Sequence, residues 1–85
     1  MSKSLFSEAN ERLVEAIVSA RHDAGLRQVD LALELGKDQS FISNIERGQR
    51  RVDVLEFFMI AKVLKVDPVD LFVAAISGFP DSFDI

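Results

Sequence analysis

The chain has 85 residues, with ten Lys plus Arg against fourteen Asp plus Glu, a net charge of −4, no Cys, Trp or Tyr, and an apolar fraction of 48%. One domain of this size has too little interior for a deep substrate cleft and the residues that brace it, so a binding module or small regulator fits better than an enzyme. Without Cys there is no disulfide framework, thiolate metal site or thiol nucleophile, and nothing calls for an oxidising compartment.

Ser7 reads as an N-cap, Glu8 and Glu11 favour the positive start of a helix, and Leu13, Ile17, Ala20 and Ala24 recur at three and four. The first helix is therefore expected over Glu8 to Ala24, with Gly25 as its left-handed stop. This amphipathic start lacks the apolar stretch of a secretion signal and the longer run of a membrane span, so a cytoplasmic protein is expected.

A second helix fits Gln28 to Leu35, with Leu31, Ala32 and Leu35 inward and Gly36 ending it. Barely two turns long, it needs neighbours to survive. A turn of about three residues leads to Asp38 as N-cap and to a third helix from Gln39 to about Arg47, with Ile42 and Ile45 on its apolar face. Asp53 followed by Glu56 is a capping-box-like start for a fourth helix, read inward through Leu55, Phe58, Ala61 and Leu64. Asp67 and Pro68 supply a cap and a preset first residue for a fifth helix, Pro68 to about Ser77. The expected fold class is all-α, as a five-helix domain over residues 1–78 followed by a tail, 79–85, with no clear period.

Charge is unevenly placed along this series. Residues 37–51 carry four bases against two acids, whereas residues 1–36 carry four against six and residues 52–85 carry two against six. The cationic stretch ends in Arg47, Arg50 and Arg51, which suits phosphate contact; from charge alone, a chance cluster on a solvated loop reads the same. With Ile42 and Ile45 inward, the opposite stripe of the third helix holds Gln39, Ser40, Ser43, Asn44 and Arg47. Gln and Asn can pair bidentately with an adenine edge, and Ser is a short, adaptable donor or acceptor. Two short helices joined by a tight Gly-containing turn form the arrangement that presents the second helix to a DNA major groove.

The ordered set Gln28, Leu31, Ala32, Gly36, Gln39, Ile42, Ser43, Ile45-Glu46-Arg47-Gly48, Arg50, Leu55, Ala61, Leu64 and Leu71 resembles the lambda-repressor, Cro and Xre group of helix-turn-helix DNA-binding proteins. The likeness runs from Leu26 to Leu71, about half the chain. It implies a five-helix lambda-repressor-like domain whose recognition helix is Gln39 to Arg47, with double-stranded DNA as partner. It also implies base contacts from Gln39, Ser40, Ser43 and Asn44, and phosphate contacts from Gln28 and from the loop after Gly48, which holds Gln49, Arg50 and Arg51. Arg21 and Glu46 are implied as a structural ion pair tying the first helix to the end of the third.

Two positions depart from the family pattern. Arg27 stands where Ser or Thr usually caps the second helix, which forfeits around 1 kcal/mol of capping and offers a phosphate contact in exchange. Phe41 stands where smaller polar residues are common; core packing, contact with a thymine methyl and a shifted readout are the roles open to it.

One recognition helix covers only a few base pairs, so specificity calls for a second copy. The nearly uninterrupted apolar fifth helix and the tail supply the means, with Leu71, Phe72, Ala75, Ile76, Phe79 and Phe83 as the expected interface of an isologous homodimer. A pseudo-palindromic operator and transcriptional regulation follow. The competing reading is a protein-interaction module, antitoxin-like or adaptor in kind, that keeps the same shape and uses its apolar end to hold another protein. For an enzyme the sequence offers little: His22 is the only His, no triad or zinc motif can be assembled, and no Gly-rich phosphate loop is present, so no metal or cofactor is expected.

Overall fold

The computed structural model describes residues 7–85; the first six residues of the segment assigned to the domain lie outside the described residues. Ser7 caps α1 (Glu8–Asp23), its Oγ accepting the Asn10 N–H at 3.1 Å, and Glu8 and Glu11 sit in the first turn where the helix dipole favours them. After Gly25 come α2 (Gln28–Glu34) and α3 (Gln39–Glu46), each about two turns. Then follow α4 (Val54–Leu64) and α5 (Pro68–Ile76). The described chain is all helix and turn, and the five helices stand in the order expected. No described helix is long and apolar enough to cross a membrane.

The core is one cluster, Ile17, Leu31, Ala32, Ile42, Ile45, Ile60 and Leu64, drawn from α1 to α4. Leu13, Ala20, Leu26, Leu35, Phe41, Val52, Phe57, Val63 and Val66 close around it, while α5 packs against α1 and α4. Such burial holds helices as short as α2 and α3 that would not persist alone. Capping is local and mostly as read. The Asp53 carboxylate accepts the Glu56 N–H at 2.7 Å while Glu56 accepts the Asp53 N–H at 3.0 Å, and Asp67 accepts from Val69 at 2.7 Å. Asp38 occupies the N-cap of α3, but its carboxylate accepts no helix N–H.

Three expectations about facing residues are corrected. Ala24 lies beyond the end of α1 as its C-cap and is exposed. On α4, Leu55 and Phe58 are not inward: Leu55 is 77% and Phe58 49% exposed, and the inner face is Phe57, Ile60, Ala61 and Leu64. The reason is helical arithmetic. A stripe taken every third residue falls about 60° short of a full turn at each step, so three steps back from Leu64 reach the opposite side of the helix at Leu55. On α5, Leu71 and Ala75 are buried within their own chain, so they leave the expected intermolecular set; Phe72 and Ile76 of that set point outward, as do Val69 and Val73.

Candidate nucleic-acid interface

Gly36, in the left-handed region at φ +71°, turns the chain out of α2 so that α3 crosses it after a short connection. Ile42 and Ile45 anchor α3, each 1% exposed. That fixes which side is outermost: Gln39 and Ser40 are exposed, Ser43 and Asn44 half-buried, and Arg47 exposed at the end. The four uncharged polar side chains therefore share one face of one short helix, with Arg47, Gln49 and Arg51 exposed beside its C-terminal end.

Beneath this face runs a continuous polar relay. The Arg21 guanidinium meets Glu46 side-on, Nε donating to Oε2 at 2.7 Å and Nη2 to Oε1 at 3.0 Å, and Nη1 donates to the Leu26 carbonyl at 2.8 Å. Gln28 Nε2 donates to Glu46 Oε1 at 2.8 Å, and Gln39 Nε2 donates to Gln28 Oε1 at 3.3 Å. Gln28 is thereby a link between the buried ion pair and the first residue of α3. The side-chain carbonyl oxygen of Gln39 has no partner among the described residues. At the other end, Arg47 Nη2 donates to Asn44 Oδ1 at 2.7 Å and to Gln49 Oε1 at 3.3 Å. This holds Asn44 with its carbonyl engaged.

The cations differ in how far they are committed. Arg27, at the start of α2, donates to both oxygens of Asp30, whose carboxyl is held down to about 2 chiefly by that side-chain hydrogen bond. The pair is exposed and readily given up to another anion. Asp30 also accepts the Arg27 N–H at 2.9 Å, which is half a capping box; Arg27 has no oxygen to return. Arg51 makes no ion pair among the described residues.

Arg50 is engaged within the chain. Its Nη1 and Nη2 donate to the two Glu56 oxygens at 2.8 and 2.7 Å, Nη1 also donates to the Arg51 carbonyl, and its Cζ stands 4.6 Å from the centre of the Phe41 ring. The side-chain hydrogen bond from Arg50 lowers the Glu56 carboxyl below its ordinary range. Phe41 is half-buried against the core, and Lys37 Nζ lies 5.4 Å from its ring centre. Sequence reasoning missed Glu56 as the partner of Arg50, because the two meet only through the path of the loop between α3 and α4.

Away from this face, α4 and α5 bound an apolar groove of about 400 Å³, lined by Val54, Phe57, Phe58, Pro68, Val69 and Phe72 among others. Phe57 and Phe72 meet edge to face at 6.1 Å. In the tail, Phe79 is half-buried and Phe83 41% exposed, their rings T-shaped at 5.7 Å. No cluster of His, Asp and Glu that can hold a metal occurs among the described residues.

Residues 17–71 match the helix-turn-helix family HTH_3. Among solved structures, the chain is similar to an XRE-family like protein from Pseudomonas syringae pv. tomato str. DC3000, with 33% identity, a TM-score of 0.79, and coverage of 92% of this chain and 95% of that one. It is also similar to the restriction-modification controller protein C.Esp1396I, solved as a tetramer in complex with its natural 35 base-pair operator, with 30% identity, a TM-score of 0.75, and coverage of 85% and 95%. The clp gene regulator ClgR from Corynebacterium glutamicum shares the fold at 24% identity and a TM-score of 0.75, over 84% of this chain and 76% of that one. No curated protein matches the chain.

Proposed function

The chain belongs to the Xre and lambda-repressor-like helix-turn-helix family of DNA-binding transcription regulators, and from that premise we propose that it reads a pseudo-palindromic operator as a homodimer. The observation that carries the reading is the outer face of α3. Gln39, Ser40, Ser43 and Asn44 line it without a single charge, over an inner face that is fully buried, and they can exchange hydrogen bonds with base edges in a major groove. Arg47, Arg51, Gln49 and Gln28 flank that face and take phosphates; Arg27 joins them once Asp30 is displaced. The similar controller protein's complex with its operator supports double-stranded DNA as the partner.

Residues 1–78 act as the DNA-binding domain, with residues 79–85 extending the pairing surface. A second copy covers the outward apolar residues of α5, Val69, Phe72, Val73 and Ile76, together with Val54 and Phe58 beside them across the groove and Phe79 and Phe83 of the tail. Two-fold symmetry then sets half-site centres about 10 base pairs apart, or a multiple of that. Such work is done in the cytoplasm, on the nucleoid.

Selection of DNA from a random pool at low salt tests the proposal. Enrichment of a palindrome is the expected result; no enrichment above background sinks it. If the protein instead stays monomeric and captures no DNA, the apolar groove serves a different protein and the interaction-module reading replaces this one.

A further inference from the structure

We propose that Arg50 is a positioning residue for DNA reading, a clamp that fixes α3 against α4, and that it does not grip phosphate; the inference rests on the DNA-binding role proposed above. Three contacts from three directions hold its guanidinium. Glu56 takes both terminal nitrogens end-on at 2.7 and 2.8 Å, the Arg51 carbonyl accepts from Nη1 at 2.8 Å, and the Phe41 ring lies against the Cζ at 4.6 Å. Each contact belongs to a different part of the molecule: Phe41 is the third residue of α3, Arg51 is in the following loop, and Glu56 is the third residue of α4. Glu56 is itself locked by its reciprocal bonds with Asp53, so the carboxylate cannot follow Arg50 toward DNA without unmaking the start of α4.

Planarity decides why Arg stands here. A guanidinium offers parallel donors to a carboxylate and a flat face to an aromatic ring at the same time, whereas an ammonium does neither well. A phosphate grip can use the parallel donors as well, but Lys can serve there as a point charge and nothing in it uses the flat face that Arg50 lays on Phe41. The geometry uses the features that are peculiar to Arg, and it matches its charge with a carboxylate that is 21% exposed. An arginine kept for phosphate would be left open, as Arg51 is among the described residues, exposed and without an ion pair. Because the outer side of α4 also carries Val54 and Phe58, the clamp ties the reading helix to the face proposed for pairing.

The test compares Arg50→Lys, Arg50→Ala, Glu56→Gln and the double variant Arg50→Lys with Glu56→Gln against the wild type, on an operator obtained by selection and on mixed DNA, each checked for folding by circular dichroism. The clamp predicts that Arg50→Lys and Glu56→Gln each weaken operator binding about tenfold, that the double variant is no worse than either, and that the salt slope is unchanged. A phosphate grip predicts the opposite signs: Arg50→Lys binds nearly as wild type, Glu56→Gln binds tighter because a competing anion is gone, and Arg50→Ala reduces the salt slope by about 0.9 per protomer. Those results overturn the clamp. If the wild type binds no DNA, the functional proposal has failed and the clamp is still read in the free protein. Nuclear Overhauser contacts between the Arg50 side chain and the Phe41 ring then disappear in Glu56→Gln, and their persistence overturns the inference.

Discussion

The carboxylate of Glu46, the last residue of α3, lies side-on against the guanidinium of Arg21, the third-last residue of α1, with both side chains only 9% exposed. Glu46 also holds Gln28, so one carboxylate secures three helices at the base of the face proposed to read DNA. Removing either partner leaves a charge that is desolvated and unpaired. Arg21→Leu or Glu46→Leu is expected to cost about 3 to 5 kcal/mol, a large share of what a domain this small has, whereas making both changes together costs much less than the sum of the two. Urea unfolding of the four proteins measures this. Additive losses would show that the pair is not a coupled unit.

Two glycines make a contrast of backbone against side chain. Gly36 has φ +71° with open space where a Cβ would stand, so Gly36→Ala has room but must hold alanine in a left-handed conformation, an expected loss of about 1 to 2 kcal/mol. Gly78 has no such φ; a Cβ there would stand 2.9 Å from the Cδ of Arg12, a flexible chain that can give way, and Gly78→Ala is expected to lose less than about 1 kcal/mol. Thermal unfolding ranks them, and a reversed order would contradict the backbone argument.

The parts of the fold legible in the sequence are those fixed within a few residues. Ser7, the Asp53–Glu56 box and the Asp67–Pro68 start act across at most three positions, and each opens a helix where expected. What was not legible is which side of an evenly apolar helix meets the core. On α4 the stripes through Leu55 and through Phe57 are both apolar, and on α5 Leu71 and Phe72 are equally greasy neighbours; only packing against other helices chooses between them. At the candidate interface, the outer stripe of α3 followed from two inward isoleucines. The Arg21–Glu46 pairing, 25 residues apart, came only through family likeness, and the hold of Glu56 on Arg50 had no signal at all.

Two carboxylates set the direction of acid sensitivity. Asp30 is lowered from 3.8 to about 2, mainly by the Arg27 hydrogen bond, and Glu56 is lowered below 4.5, mainly by the Arg50 hydrogen bond. A carboxyl with a depressed folded value adds stability above its ordinary value and loses it as pH falls through the folded one. Stability is therefore expected to fall from about pH 5 toward pH 2. Asp30→Asn and Glu56→Gln should each flatten that decline, Asp30→Asn only slightly because its pair is exposed. Urea midpoints across this range decide it; variants as steep as the wild type would place the sensitivity elsewhere.

Phosphate and base contacts separate by how they respond to salt and to sequence. With three or four phosphates neutralised per protomer, log affinity against log salt should slope at about −5 to −7 for a dimer. Arg51→Ala should weaken all sequences alike and make that slope shallower by about 0.9 per protomer, whereas Gln39→Ala should leave the slope alone and relax preference at one position of each half-site by about 1 to 3 kcal/mol. A flat salt dependence would contradict the phosphate assignments.

Burial separates residues proposed for pairing from core residues on a single helix turn of α5. Val69 is 68% exposed and lines the groove beside α4, while Leu71, two residues on, is 6% exposed against its own chain. A charge at position 69 would be desolvated in a paired face but is harmless in a free protomer, so Val69→Asp should halve the mass seen by light scattering and leave the helical spectrum intact. Leu71→Ala should do the reverse, losing about 2 to 5 kcal/mol of stability by opening a cavity while pairing survives at low temperature. Separation of the protomers also removes the second foothold on an operator, so Val69→Asp should lose about a hundredfold or more in operator affinity while keeping its weak affinity for mixed DNA. If Val69→Asp stays paired, the face lies elsewhere, and the groove between α4 and α5 is then free to hold another protein.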